Sequence, residues 1–306
     1  MSSVSVVVPV YRAALTLREL YAQLSITMPQ VAPTFEIIFV EDCGGDESWS
    51  IITELAASDQ HIRGIRMSRN YGQHNALLCG IRAARYDVIV TMDDDLQHPV
   101  TEIAPLLAAL GPDVDVVYGA PRDEQHGLLR NGASRLTKLA LASAMGAETA
   151  RNVSAFRAFR TRLREGFVDY RSPTVSIDVL LTWTTTRFSA IKVRHAPRSA
   201  GISGYSITRL VRYALDLMTG FSTLPLQFAS FIGFALVFFG ASILAYVGAN
   251  YLVYGSAVPG FAFLASIIAI FSGAQLFALG VIGEYLARMH FRTMDRPTYL
   301  VSETVE

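Results

Sequence analysis

Val88-Ile89-Val90-Thr91-Met92-Asp93-Asp94-Asp95-Leu96-Gln97-His98-Pro99 is the stretch on which the reading of this chain turns. It opens as a β-branched apolar run of strand length (residues 88–92) and runs straight into three carboxylates. Like charges side by side repel one another and need a cation or basic partners. In an extended segment Asp93 and Asp95 point the same way, Gln97 continues that face, and Asp94 points elsewhere. Two carboxylates and an amide oxygen are hard ligands suited to Mg²⁺ or Mn²⁺, with phosphate oxygens and water completing the shell. An acidic turn capping the helix after Pro99 is the competing reading. The placement of the acids among other polar strand ends favours the metal.

On either side of this stretch, residues 35–40 and 114–118, Val4–Val10 and Ile62–Met67 are further apolar, β-branched-rich runs of strand length. Helical spacing of apolar residues lies between them at 15–24, 48–57, 75–84 and 101–110. Such alternation predicts an α/β fold, a mostly parallel Rossmann-like sheet covered on both faces. Ligands of these sheets bind outside the carboxyl ends of the strands, so the loop after each strand matters most. The second strand ends in Val40-Glu41-Asp42-Cys43-Gly44-Gly45-Asp46-Glu47-Ser48. Its glycines allow a sharp turn, and Asp46 or Ser48 can cap the next helix. Asp42 is read as facing the cleft, where it can accept from a base N–H or a ribose hydroxyl; plain turn chemistry remains open beside it. The third loop, Ser68-Arg69-Asn70-Tyr71-Gly72-Gln73-His74-Asn75, offers an arginine, amides and a glycine to a diphosphate at a helix N-terminus. His74 reads as a satisfied polar residue at the helix start rather than a metal ligand.

The last third of the chain is different. From Leu217 to Gly283 there is no Asp, Glu, Lys or Arg. A bilayer crossing takes about 20 apolar residues, and the tract holds two, read as 228–253 and 259–283. Arg209 and Arg212 precede the first span, Arg288, Arg292 and Arg296 follow the second, and the connecting loop carries no basic residue. That asymmetry predicts both ends in the cytoplasm. Residues 206–221 place Leu210, Tyr213, Leu217 and Phe221 at helical spacing against Arg209, Arg212 and Asp216. The stretch lies along the membrane surface or packs on the globular domain. A soluble hairpin buried in a large core is the alternative to the two spans.

Composition agrees with this division. Of 306 residues 51% are hydrophobic and the formal net charge is zero, so no global basic field points to nucleic acid. Cys43 and Cys79 lack metal-ligand spacing and read as free thiols. The N-terminal run lacks a basic flank and a cleavage site and reads as a strand.

Val8-Pro9-Val10-Tyr11, Val40-Glu41-Asp42, Ser68-Arg69-Asn70-Tyr71-Gly72-Gln73 and the Asp93–Pro99 run stand in the order and spacing of the family 2 glycosyltransferases. The tail adds Arg198-Ser199-Ala200-Gly201-Ile202-Ser203-Gly204-Tyr205-Ser206, Pro225-Leu226, the two spans, Gly283-Glu284-Tyr285-Leu286 and Arg296-Pro297. Over essentially its whole length the chain resembles the polyprenyl-phosphate branch, which includes dolichyl-phosphate mannose synthases and bacterial undecaprenyl-phosphate sugar transferases. The resemblance implies a cytoplasmic GT-A glycosyltransferase domain at 1–205 and an interfacial amphipathic helix at 206–226. It also implies two transmembrane helices within 227–287 and a cytoplasmic tail at 288–306, in the inner membrane of a bacterium.

By the same resemblance Pro9, Tyr11 and Asp42 hold the nucleoside, and Arg69, Gln73 and Asp94 belong to the nucleotide-sugar site. Asp93, Asp95 and Gln97 hold Mg²⁺ or Mn²⁺ and the diphosphate, Asp93 and Asp95 being the catalytic pair. The lipid phosphate falls to Arg122, to Arg130 with Ser134, and to Arg198 with Ser203 and Tyr205. Arg130 and Ser134 are independently suited to one phosphate, since residues four apart share a helix face. The implied reaction is inverting transfer from a nucleotide sugar to polyprenyl phosphate, with a UDP- or dTDP-sugar favoured over a GDP-sugar. The partners are that donor, the lipid and the bilayer, with no nucleic acid and room for a homo-oligomer. A membrane polysaccharide synthase with a hydroxyl acceptor is the alternative.

Three positions depart from the family pattern: Glu41-Asp42-Cys43 replaces Asp-Asp-Gly, Arg12-Ala13 follows Tyr11, and Ala155 precedes Phe156-Arg157 where many members carry an acid. The run Phe156-Arg157-Ala158-Phe159-Arg160 is closer to the bacterial aminoarabinose branch.

Overall fold

In β1 (Val4–Val10), Val4, Val6, Val8 and Val10 face one apolar layer while Val7 faces another. A strand buried on both faces belongs in the middle of a sheet with helices on each side. The computed structural model of the chain places it there; it describes residues 3–121, 152–172, 174–195, 218–255 and 260–306. β1 pairs in parallel with β2 (Phe35–Glu41) on one side and with β4 (Val88–Thr91) on the other. β3 (Ile62–Met67) extends the parallel block beyond β2. α1 (Leu17–Val31), α2 (Ser48–Ser58) and α4 (Ile103–Ala108) cover one face, with Leu17, Leu20, Leu24, Ile52 and Leu106 in its core. α3 (Gln73–Ala83) and α5 (Ile177–Thr182) cover the other.

β5 (Val116–Pro121), β6 (Arg157–Arg160) and β7 (Phe188–Val193) complete one side of the sheet, β6 running antiparallel to both β4 and β5. With β8 (Val301–Val305) at the far edge, the full order is β7-β5-β6-β4-β1-β2-β3-β8. Strand order reverses at β1, whose neighbours are β2 and β4, so a crevice opens between the carboxyl ends of β1 and β4. The three acids follow β4 directly.

α6 (Leu224–Tyr254) and α7 (Phe261–Thr293) are helices of 31 and 33 residues, and both reach past the spans expected from composition. Pro225 sits in the first turn of α6, where its missing N–H costs no bond. Beyond Gly283, α7 continues because charge alone does not stop a helix: Arg288 bonds Glu284 one turn back, at 2.9 Å. Phe231, Phe234 and Phe238 are exposed, so the hairpin is not the buried core of a soluble protein. A Cβ at Gly240 would come within 2.9 Å of the Phe271 ring, so the glycine lets that side chain seat against α6.

The tail is not a loose extension. After α7 it returns to the globular part, and β8 (Val301–Val305) pairs antiparallel with β3 as the outermost strand. Glu306 takes Arg63 at 3.0 Å and Arg85 at 2.7 Å, and Arg63 also pairs with the buried Glu36 at 2.8 Å. The chain therefore leaves and re-enters the same sheet, which puts the start of α6 and the end of α7 on one side. Cys43 and Cys79 are free, as expected, and burial pushes the Cys79 thiol up to about 12.

Candidate active site

The loops after β1 and β2 are stitched together before either meets a ligand. Arg12 and Cys43 adopt left-handed backbone conformations, with φ of 55° and 53°. Arg12 Nε donates to the Gly44 carbonyl at 3.0 Å, and Gly44 N–H donates to Glu41 Oε1 at 2.6 Å. A Cβ on Gly44 would stand 2.8 Å from the Arg12 nitrogen, so only glycine fits. The N-cap of α2 is Glu47, without a side-chain cap bond, rather than Asp46 or Ser48; these two serve the junction, since Ala14 N–H bonds Asp46 and Ala13 N–H bonds Ser48 Oγ. Pro9 is buried within β1, and Tyr11 emerges beyond it, 45% exposed, under the Arg12 guanidinium.

Asp42 is turned inward, which corrects the expectation that it faces the cleft. It is 3% exposed and accepts the backbone N–H groups of Tyr71 at 2.7 Å and Gly72 at 2.8 Å. Burial raises its carboxyl above the ordinary value, and the two N–H bonds work in the opposite direction. The residue thus fixes the loop after β3, whose turn is completed by Gly72 at φ 92°. On that loop Arg69 is exposed and lies over the Tyr71 ring at 4.6 Å. Gln73 reaches across to the acids, its amide donating to Asp93 Oδ1 at 2.6 Å. His74 faces α5 and accepts the Ile177 N–H at 3.4 Å; burial first, then Arg157, depresses it to about 4, and Asp178 opposes the shift.

The acid run itself bridges the crevice. Asp94 Oδ2 accepts the Tyr11 backbone N–H at 3.1 Å, joining the ends of β4 and β1. Burial, then the charges of Asp93 and Asp95, push the Asp94 carboxyl up to about 7. Past Asp95 the backbone bends, and Leu96 is left-handed at φ 60°. The alternation that put Gln97 on the face of Asp93 and Asp95 therefore ends at Asp95. Gln97 instead donates its backbone N–H to Asp95 Oδ1 at 3.1 Å. His98 stacks on Phe156 and meets the edge of His195, while Arg194 pairs with the buried Glu102 at 2.8 Å. Both contacts hold the end of β7 against the acid loop.

Beneath the acids lies a buried polar cluster that strand and motif reading passed over. Arg157 is 1% exposed, pairs with the buried Asp178, and donates Nε–H to Thr91 Oγ1 at 3.1 Å. Tyr118 donates its hydroxyl to the same Asp178 oxygen at 3.1 Å. An arginine inside the apolar run Phe156–Phe159 was the signal in the sequence; its partner lies 21 residues away. Arg122, Arg130, Ser134, Arg198, Ser203 and Tyr205, and residues 206–217 of the amphipathic stretch, lie outside the described residues.

The donor set fits a divalent cation that shares its shell with a substrate. Among the described residues no three acid, histidine or thiol side chains form a self-sufficient metal cage. Magnesium-type sites on nucleotides take one or two carboxylates and complete the shell with phosphate oxygens and water. Asp93 and Asp95 supply such a pair, while the raised Asp94 carboxyl reflects its burial first and the neighbouring charges second.

Comparison with known proteins agrees with this geometry. The sequence profile of the Glycosyl transferase family 2 matches residues 5–169. An undecaprenyl-phosphate 4-deoxy-4-formamido-L-arabinose transferase of Shewanella sediminis is 33% identical over 303 residues, covering 98% of this chain and 92% of that protein. The protein of the same name from Yersinia pestis is 32% identical over 308 residues, covering 100% and 94%. Among solved structures, glucosyl-3-phosphoglycerate synthase of Mycobacterium tuberculosis, in complex with Mn²⁺, UDP and glucosyl-3-phosphoglycerate, superposes with a TM-score of 0.52. That match has 18% identity over 72% of this chain and 79% of the other, and it establishes the GT-A fold. The profile match and full-length relatives make the chain a member of the family 2 glycosyltransferases, with a GT-A domain and two apolar C-terminal helices.

Proposed function

We propose that this enzyme transfers a sugar from a nucleoside diphosphate sugar to the phosphate of a polyprenyl lipid, with Mg²⁺ or Mn²⁺ at Asp93 and Asp95. The observation that carries the reading is the convergence of two strand-end loops on the acid run, through Tyr11 to Asp94 and Gln73 to Asp93. The names of the full-length relatives support the acceptor and suggest a 4-amino-4-deoxy-pentose derivative as the sugar.

A phosphate monoester has a second pKa near ~6 and is largely ionised at neutral pH, so it needs no strong base. Ala155, in place of an acid, fits that chemistry. A phosphate oxygen forms the new bond to the anomeric carbon as the bond to the diphosphate breaks, and direct displacement inverts that centre. A divalent cation held by Asp93 and Asp95 would supply Lewis-acid stabilisation of the leaving group. The chain's part is placement. Gln73 holds Asp93, the Gln97 N–H holds Asp95, and Asp42 sets the loop carrying Arg69 beside the diphosphate. Tyr11 is placed at the rim for the nucleoside. Arg122, Arg130, Ser134, Arg198, Ser203 and Tyr205 are assigned to the lipid phosphate on resemblance.

The test is a panel of nucleotide sugars, led by the 4-deoxy-4-formamido-L-arabinose donor, with purified full chain, Mn²⁺ and undecaprenyl phosphate. Mass spectrometry of the lipid should show one glycosylated phosphate. Transfer to a sugar hydroxyl with the lipid phosphate left untouched would overturn the acceptor.

The reading also places the GT-A domain in the cytoplasm, on the side where the arginines flank the hairpin. A cytoplasm-dependent reporter after residue 306 should be active, and a periplasm-dependent one should be active at residue 256. The opposite pattern refutes the orientation.

A further inference from the structure

Where the hairpin meets the GT-A domain there is a cleft of about 540 Å³. Trp183 and Phe221 form one wall and Phe291 lies on another, with Arg288 and Arg292 one helical turn apart on α7. Arg288 is held in place, by Glu284 at 2.9 Å and by Thr174 Oγ1 at 3.4 Å. Arg292 forms no ion pair among the described residues. The Tyr285 hydroxyl donates to the Ser222 carbonyl and fastens α7 to the segment entering α6. Ser222 and Thr223, the latter the N-cap of α6, line the same cleft, so the positive end of a 31-residue helix adds to the two arginines. Among the described residues the lining carries these two arginines and one carboxylate, Glu284.

The depth of the cleft identifies what it meets. Gly283 is the last residue of the uncharged tract. At 1.5 Å per residue, Arg288 lies about 7 Å and Arg292 about 13 Å beyond it along the helix. The headgroup layer of a bilayer is roughly 5–8 Å thick on each side of the hydrocarbon. The backbone of Arg288 therefore stands at the outer edge of the headgroup layer and that of Arg292 about one helical turn beyond it, and a long arginine side chain can reach back to the lipid phosphates. Trp183, 52% exposed, lies beside them, as indoles do at the edge of a bilayer. Arginine in a polar-aromatic cleft at that height is matched to a phosphodiester, with which it bonds in a bidentate manner.

We propose that this cleft binds the headgroup phosphate of an anionic phospholipid, a site separate from the one that takes the acceptor phosphate. Bilayer lipid held there ties the GT-A domain to the membrane surface at a fixed height, and anionic lipid is favoured by the pair of arginines among the described lining residues.

The chain has two tryptophans, and Trp49 lies on α2 under Arg66, so Trp49→Phe leaves Trp183 as the reporter. The full chain is placed in nanodiscs containing equal fractions of acyl-brominated phosphatidylglycerol or phosphatidylcholine, with no nucleotide sugar present. Brominated phosphatidylglycerol should quench Trp183 at least twofold more strongly. Arg288→Gln with Arg292→Gln should erase the difference. Glu284→Gln, which removes the opposing charge, should widen it, a gain that a misfolded protein would not give. Equal quenching by the two lipids, or a preference that survives loss of both arginines, overturns the site. So does displacement of phosphatidylglycerol by stoichiometric undecaprenyl phosphate, which would give the cleft to the acceptor. The readout involves no turnover, so it stands or falls apart from the transfer reaction.

Discussion

Asp95→Asn is expected to lower turnover by roughly 10²–10³-fold, the cost of losing charge stabilisation of a leaving group in a preorganised site. The substitution is chemically narrow. The replacement amide would keep an oxygen for the Gln97 N–H that Asp95 now accepts at 3.1 Å, so the bend after the acids persists. It also removes one of three adjacent like charges, so the melting temperature should hold steady or rise. Asp94→Asn should cost less turnover, because its amide oxygen still accepts the Tyr11 N–H. Initial rates titrated with Mn²⁺ in each variant, beside thermal denaturation, separate the outcomes. Wild-type turnover in EDTA, or an Asp95→Asn enzyme with unaltered metal response, would remove the acids from the chemistry.

Arg157→Met should be the most damaging change to stability, at about 3–5 kcal/mol. It leaves the Asp178 carboxylate buried with only the Tyr118 hydroxyl and no balancing charge. Combining it with Asp178→Leu should recover much of that loss, because burying an ion pair carries a desolvation cost that an apolar pair avoids. Urea unfolding of the single and double variants in detergent reads this directly. A single variant within about 1 kcal/mol of wild type would mean that the cluster is not under electrostatic stress.

How legible the molecule was in its sequence depended on the range of the interaction. β1 fell where its apolar run begins and ends, since burial on both faces leaves a nearly unbroken hydrophobic signature, and β3 kept its expected bounds although the half-buried Arg63 and Arg66 interrupt its run. β8 has no such signature. Val301-Ser302-Glu303-Thr304-Val305 is a strand because β3 offers an open edge and because Arg63 and Arg85 receive Glu306 beside it. Those contacts span more than two hundred residues, beyond the reach of local periodicity. At the site, the carboxylates were correctly located at strand ends, but their partners were not. Asp42 bonds a loop 29 residues on, and Asp93 bonds an amide 20 residues earlier. Gln97 failed for a local reason: alternation assumes an extended backbone, and Leu96 is left-handed.

The returning tail has a consequence for how the enzyme is made. Residues 301–305 leave the ribosome after both membrane helices, yet they supply the last strand of a sheet whose first strand begins at Val4. Until then β3 presents a bare edge of unpaired N–H and C=O groups, the kind of edge on which chains aggregate. Completion of the GT-A sheet therefore follows synthesis of the hairpin, and the edge of β3 stays open until the tail docks. A chain cut short before residue 301 is expected to keep that edge exposed and to aggregate more readily than the full chain.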